Sequence, residues 1–245
     1  MKLSVYFTPL GVTQQDVAGR PVLVLDILRT TTTVVAAMAH GAKAVLPVAT
    51  QEEALRLIGN LERDAVVLAG ERRLERIEGF DLGNSPLEMT SDAVSGKTVV
   101  MTTTNGTPAM VAAEHGEPVL IAAITNFTAA VERASQAFEK SSEIVILCSG
   151  RKRTFALEDA YVAGRFARAL IPGKYRRSAQ LNDGAIAALE LMRRYGDRWK
   201  RAVSASTAAR ELKANGFRAD LAAATEVDVH DIVPEYSGKL VTLPD

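Results

Sequence analysis

Short runs that are apolar at nearly every position alternate along this chain with longer stretches of helical periodicity. Continuous β-branched runs predict strands buried on both faces, and the stretches between them predict crossover helices. Strands are expected at Leu3–Thr8, Pro21–Ile27, Ala44–Val48, Ala65–Ala69, Lys97–Thr102, Val119–Ala122 and Glu143–Cys148. Helices are expected at about Thr32–His40, Gln51–Asn60, Pro108–His115, Thr128–Phe138 and Leu157–Leu170. This alternation predicts an α/β protein with a largely parallel, buried sheet. The segment Arg72–Thr90, rich in Gly, Asn, Ser and Pro, reads as an irregular loop of the kind that carries function.

Residues 22–55 and 97–130 read as an ungapped repeat displaced by 75 positions, with His40-Gly41 falling on His115-Gly116. The pattern predicts internal duplication of a strand–turn–helix–strand unit, with two equivalent turns facing one cleft. A chain of 245 residues suits one large unit, or two similar α/β halves of about 1–90 and 91–245 that share a central cleft. The last third differs: from Arg168 to Arg218 there are twelve Lys or Arg against four Asp or Glu. Most of these charges read as a solvated helical face, and a few, with Lys152 and Arg153, as a basic rim for an anion. An edge strand is expected at Lys239–Leu243. An apolar face on the C-terminal helices leaves room for a homodimer.

Composition narrows the function. The 29 basic and 29 acidic side chains cancel, which argues against a nucleic-acid or membrane electrostatic partner. No apolar stretch approaches the roughly 20 residues of a membrane span, and the opening MKLSVYFTP lacks the features of a secretory leader. The single Cys148 excludes an intrachain disulfide framework. The expectation is a cytoplasmic globular protein.

Four motifs follow apolar strands, where α/β proteins bind ligands. In Asp26-Ile27-Leu28-Arg29 and the four threonines after it, Asp26 is suited to a hard cation and Arg29 to phosphate or sulfonate oxygens. The other reading makes Asp26 a helix cap and Arg29 its surface partner. Thr102 to Thr107, with Asn105-Gly106, is expected to use positive backbone dihedrals to aim amides inward as an anion nest, or else to be a capped turn. Glu71, with Asp81, Asn84 and Ser85 beyond it, supplies further carboxylates and polar groups; Ser85 before Pro86 also fits a helix cap. Asp26, Glu71 and Asp81 together would hold magnesium with waters and substrate oxygens. In Cys148 to Thr154, Arg153 follows the cysteine after four intervening residues rather than five, so a phosphocysteine route is disfavoured and Cys148 reads as a small buried hydrophobe. Asp159 stands in the first turn of the next helix, as a dipole partner or facing the cleft. Leu28 stands where an aspartyl-nucleophile phosphatase needs a second aspartate, and the GxSxG, HExxH and GxxxxGK[ST] motifs are absent.

The strings VLDILRTTTT, GERR, GFDLGNSP, TTTNGT and CSGRKRTFALED, in this order, resemble the 2-phosphosulfolactate phosphatase family from about Val22 to Gly164. The resemblance implies a three-layer α/β/α fold with internal duplication. It also implies Mg²⁺-dependent hydrolysis of 2-phospho-3-sulfolactate to 3-sulfolactate and phosphate, a step of coenzyme M biosynthesis. Thr30 departs from a more usual alanine, a change expected to leave the site undisturbed, while Arg72 and Arg73 are bulkier than usual and bear on substrate fit. The expected assignment is Asp26, Glu71 and Asp81 as metal ligands. Arg29, Asn84, Ser85, Thr103, Asn105, Gly106 and Thr107 are the expected contacts to a small anionic organic phosphate, with Asp26, Arg29 and Asp159 catalytic. Asp159 orients the attacking water; an aspartyl-phosphate route through Asp26 is the mechanistic alternative. A phosphatase of the same fold with another substrate, or a non-catalytic anion-binding module, are the competing functions.

Overall fold

The computed structural model describes all residues except 60, 61, 172, 174–177 and 245. The first part of the chain runs β1 (Lys2–Tyr6), α1 (Gln14–Val17), β2 (Val22–Leu25), α2 (Thr30–Ala39), β3 (Ala44–Pro47) and α3 (Gln51–Ile58). It continues through β4 (Val66–Arg72), β5 (Glu75–Arg76), α4 (Ser91–Val94), β6 (Thr98–Thr102), α5 (Gly106–Ala112) and β7 (Val119–Ala122). Then come α6 (Phe127–Ser141), β8 (Glu143–Cys148), α7 (Leu157–Leu170), β9 (Gln180–Leu181) and α8 (Asp183–Tyr195). The chain closes with α9 (Trp199–Ser204), α10 (Thr207–Ala214), α11 (Arg218–Ala223), β10 (Glu235–Ser237) and β11 (Leu240–Thr242). The expected helix over Gln51–Asn60 ends at Ile58 within the described residues.

The strands form one 11-stranded mixed sheet in the order β5-β4-β6-β3-β11-β10-β7-β2-β8-β1-β9. One parallel block contains β4, β6 and β3; the other contains β7, β2, β8, β1 and β9. Strands β2 and β7 are apolar and buried at every position because both of their faces are covered. On β2, Val22 and Val24 pack toward α2 and α5, while Leu23 and Leu25 pack toward α6 and α7. On β6, Val99 and Met101 join the α2 side and Val100 packs against the α3 side. The result is the three-layer α/β/α arrangement. Helix α2 is buried from Thr30 to Met38, and it has no polar face because it lies within the core.

The two repeated units occupy mirrored places about the β10–β11 hairpin: β6 and β3 on one side, β7 and β2 on the other. The hairpin is antiparallel to β7 on one side and to β3 on the other, so the two parallel blocks run in opposite senses. The C-terminal strand is therefore central rather than the edge strand expected at Lys239–Leu243. It resembles an edge strand in sequence because β11 is only three residues long with one buried residue, Val241. Strands from 1–90 and 91–245 interleave in this sheet, since β6 lies between β4 and β3 and β8 lies between β2 and β1.

Candidate active site

The turn after β2 forms the floor of the site. Its four buried threonines are accommodated because their hydroxyls satisfy local groups. Thr31 bonds the Asp26 carbonyl (3.0 Å), Thr32 the Ile27 carbonyl (2.9 Å), and Thr33 the carbonyls of Arg29 and Asn84 (both 3.1 Å). These hydroxyls brace the turn and leave Thr30 as the one threonine of the four that reaches the cavity. Thr30 Oγ1 lies 3.2 Å from Thr103 Oγ1 and accepts from Asn84 Nδ2 at 3.3 Å. It therefore joins three loops.

The turn after β6 meets the turn after β2 at Gly106. A Cβ there would stand 2.3 Å from Thr30 Cβ and 2.6 Å from Asp26 Oδ2. Positive dihedrals are not the reason for this glycine: Asn105 has φ −125° and Gly106 is not among the positive-φ glycines. What the Asn105-Gly106 pair provides is close approach. Thr103 and Thr107 bond one another, with Thr107 N–H donating to Thr103 Oγ1 (3.1 Å) and Thr103 N–H to Thr107 Oγ1 (3.2 Å). Both cap the turn, and neither lines the cavity.

A cavity of about 850 Å³ opens where these turns meet the ends of β4 and β8 and one side of α10. Asp26, Glu71, Glu158 and Asp159 line it, all buried, and none of the four forms an ion pair among the described residues. Burial raises the Asp26 carboxyl to about 6, bonds from Thr30 oppose the rise, and the Glu71 charge adds to it. Burial also raises Glu158, with Asp26 contributing. Asp159 is pushed well above the usual carboxylate range by burial and then by Glu158 and Asp26. Its oxygens accept from Ile27 N–H (2.9 Å), Gly150 N–H (3.2 Å) and Ser149 Oγ (3.2 Å). Asp159 thus clamps the turns after β2 and β8 together.

Arg29 lines the cavity but is already engaged. It pairs with Asp220 of α11 at 2.6 Å, donates to the Leu74 carbonyl (3.2 Å), and lies over the Phe217 ring at 4.4 Å. Ser85 donates to the other oxygen of Asp220 (2.8 Å) and accepts from Leu87 N–H, so it is a cap and brace away from the cavity lining. Asn84 lines the cavity, and its Oδ1 is buried without a partner among the described residues.

Asp81 is the expected ligand that the fold places elsewhere. After β5 the chain runs back along β4, so Asp81 meets Leu68 N–H (2.8 Å) and Arg63 toward the other end of that strand from Glu71. Burial pushes its carboxyl up, but the bonds from Arg63 and Leu68 outweigh this and hold it low. Cys148 is fully buried in the core and its thiol is raised well above normal by burial, so it is no nucleophile. Of the C-terminal segment, Ala208, Glu211, Leu212 and Asn215 line the cavity, while its basic residues among the described ones do not. The basic rim comes instead from Arg72, Arg73, Arg151 and Lys152; Arg153 is outside it.

Glu158 and Asp220 escaped the sequence reading. Glu158 sits beside Asp159 at the start of α7, and an acidic pair following a strand and a glycine-containing turn was its signal. Asp220 looks like any first-turn aspartate of a short helix, and nothing in the sequence marks it.

Oxygen-only donors on this floor suit a hard cation, and four unpaired buried carboxylates favour one electrostatically. Among the described residues, no three His, Cys, Asp or Glu side chains converge into a ready-made metal cage. The fit is therefore to an ion held by one or two carboxylates, with water and substrate oxygens completing it, as magnesium commonly is.

The sequence matches the family model described as 2-phosphosulpholactate phosphatase over residues 6–239. It is 34% identical to the "Probable 2-phosphosulfolactate phosphatase" of Caldanaerobacter subterraneus subsp. tengcongensis, over 98% of both chains. A protein of the same name from Thermotoga petrophila is 37% identical over 88% of both chains. No helix among the described residues is long and apolar enough to cross a membrane. The chain belongs to the 2-phosphosulpholactate phosphatase family.

Proposed function

We propose that this protein is a Mg²⁺-dependent phosphatase that hydrolyses 2-phospho-3-sulfolactate to 3-sulfolactate and phosphate. The observation that carries the reading is the cavity itself, an acidic, oxygen-rich floor under a cationic rim, in a chain of this family. Asp26 and Glu71 would hold the metal ion. When bound, Mg²⁺ supplies charge neutralisation and polarisation of the phosphoryl group. Glu71 is oriented for this role by backbone N–H groups of Leu74 (3.0 Å) and Thr104 (2.8 Å), one to each oxygen.

The remaining work falls to positioning. Arg29, anchored by Asp220, keeps further N–H groups for phosphate oxygens, since a guanidinium carries five. In hydrolysis a water oxygen bonds to phosphorus as the ester P–O bond breaks. The alkoxide formed takes up a proton equivalent to the one that water loses. With Asp159 bound by three donors, Glu158 would carry that proton between water and leaving group. An aspartyl-phosphate route through Asp26 uses the same positions. The expected setting is the cytoplasm, and the dimer expected from an apolar C-terminal face remains part of this reading, Ile186 being exposed on α8.

Phosphate release from purified protein, with and without Mg²⁺, tests the reading on 2-phosphosulfolactate, phospholactate, 2-phosphoglycerate and p-nitrophenyl phosphate. Magnesium-dependent turnover with a preference for phosphosulfolactate is expected. Preference for another member moves the substrate. Thermal stabilisation by these ligands without turnover would replace the phosphatase by an anion-binding module.

A further inference from the structure

Five basic side chains line the cavity, and three are committed. Arg29 is held by Asp220 and Arg151 by Glu211. Arg72 donates to the Glu71 carbonyl (2.8 Å) and to Thr102 Oγ1 (3.0 Å). Arg73 and Lys152 are both exposed. Among the described residues neither side chain has a hydrogen-bonded or ionic partner, although four carboxylates lie on the floor below.

These two cations occupy the same position in two like turns. Arg73-Leu74 is the two-residue loop between β4 and β5, closed by the Arg72–Glu75 pair, with φ of 55° and 73°. Lys152-Arg153 is a second two-residue loop, with φ of 49° and 64°. Reciprocal bonds between Arg151 and Thr154 close it: Arg151 N–H to the Thr154 carbonyl at 2.8 Å and the return bond at 2.9 Å. Two-residue loops with both φ positive favour Asn-Gly, and long side chains are poor choices there. In each loop the first residue is a cation that reaches the cavity. Breaking a local rule twice at one rim marks the positions as functional.

Both loops are tied to the same wall. Glu71 accepts from Leu74 N–H and Thr104 N–H, and the adjacent Asn105 accepts from Lys152 N–H at 2.9 Å. The cations are thus fixed at the mouth, above the buried Asp26 and Glu71. We propose that Arg73 and Lys152 form a clamp for a second, non-reacting anionic group of the substrate. A guanidinium fork and an ammonium suit a sulfonate or carboxylate. The clamp rests on the phosphatase reading, and it makes the site selective for small organic phosphates that carry a strong acid group beside the ester.

Asn suits both turns while removing the charge, so R73N/K152N separates folding from binding. The double variant is expected to keep the wild-type melting temperature or exceed it. Its Kd for 3-sulfolactate, read by calorimetry, should weaken at least about tenfold. Its ratio of kcat/KM for phosphosulfolactate over p-nitrophenyl phosphate should fall by a similar factor, chiefly through KM, and R73K/K152R should recover most of it. An unchanged Kd, an equal loss on both substrates, or a wild type that does not bind 3-sulfolactate overturns the clamp. A wild type that binds 3-sulfolactate but hydrolyses none of the phosphate esters overturns the phosphatase reading and leaves the clamp to be judged on Kd.

Discussion

Gly106 stands where the two repeated turns touch, and its missing side chain is what lets Asp26, Thr30 and the start of α5 share one small volume. G106A is expected to push the turns apart by enough to lower kcat by about 100-fold, the usual consequence of a misplacement near 1 Å. Circular dichroism should show a folded protein, and wild-type turnover would show that the contact is slack. Asp26 carries the opposite kind of constraint, since it is a charge held in a buried place. Its folded pKa of about 6 lies above the roughly 3.9 of an unfolded aspartate. The folded state therefore binds the extra proton, and stability falls as pH rises through the window between those values. In metal-free protein at pH 8, D26N is expected to be more stable than wild type by on the order of 2–3 kcal/mol. At pH 4 the difference should largely vanish. The same variant should be without phosphatase activity. A D26N protein that melts below wild type at pH 8 would remove the electrostatic cost assigned to this residue.

Among the elements, α11 is joined to the site by one buried contact set rather than by a broad surface. Asp220 takes both Arg29 and Ser85, so D220A leaves a buried guanidinium unpaired and should cost about 3–5 kcal/mol in urea unfolding. The loss should extend to phosphate-ester turnover, because Arg29 then has only the Leu74 carbonyl and the Phe217 ring to hold it. A stability change under 1 kcal/mol would show that the pair is dispensable. β4 makes the complementary contribution. It extends to Arg72, three residues past the end expected from its apolar run, because β5 pairs with it. That extension places Glu71 within the strand, with Arg73 in the turn just beyond.

For the molecule as a whole, the β10–β11 hairpin is what makes two oppositely running parallel blocks into one sheet. A chain ended after Asp231 would leave the facing sides of β3 and β7 unpaired, with their backbone groups exposed to other chains. It is expected to lose the single cooperative thermal transition and to aggregate; a monomer melting as wild type does would show that the blocks hold without the hairpin. The alternation of fully apolar runs and helical stretches determined the α/β class, most of the central strands and the repeat, because burial on both faces dictates composition locally. It also determined that Asp26, Arg29, Glu71, Asn105 and Asp159 belong to one cleft, since all come in segments that follow apolar strands, and the family resemblance added Asn84; all six line the cavity. Contacts between residues distant in sequence were decided only by the tertiary structure. Asp81 turned away to Arg63, Ser85, Thr103 and Thr107 became braces, and Asp220 and Glu158 joined the site. A strand end can be read from the residues within it, but the partner of a side chain depends on where the chain returns, and that is set by the sheet order and the crossing of the hairpin.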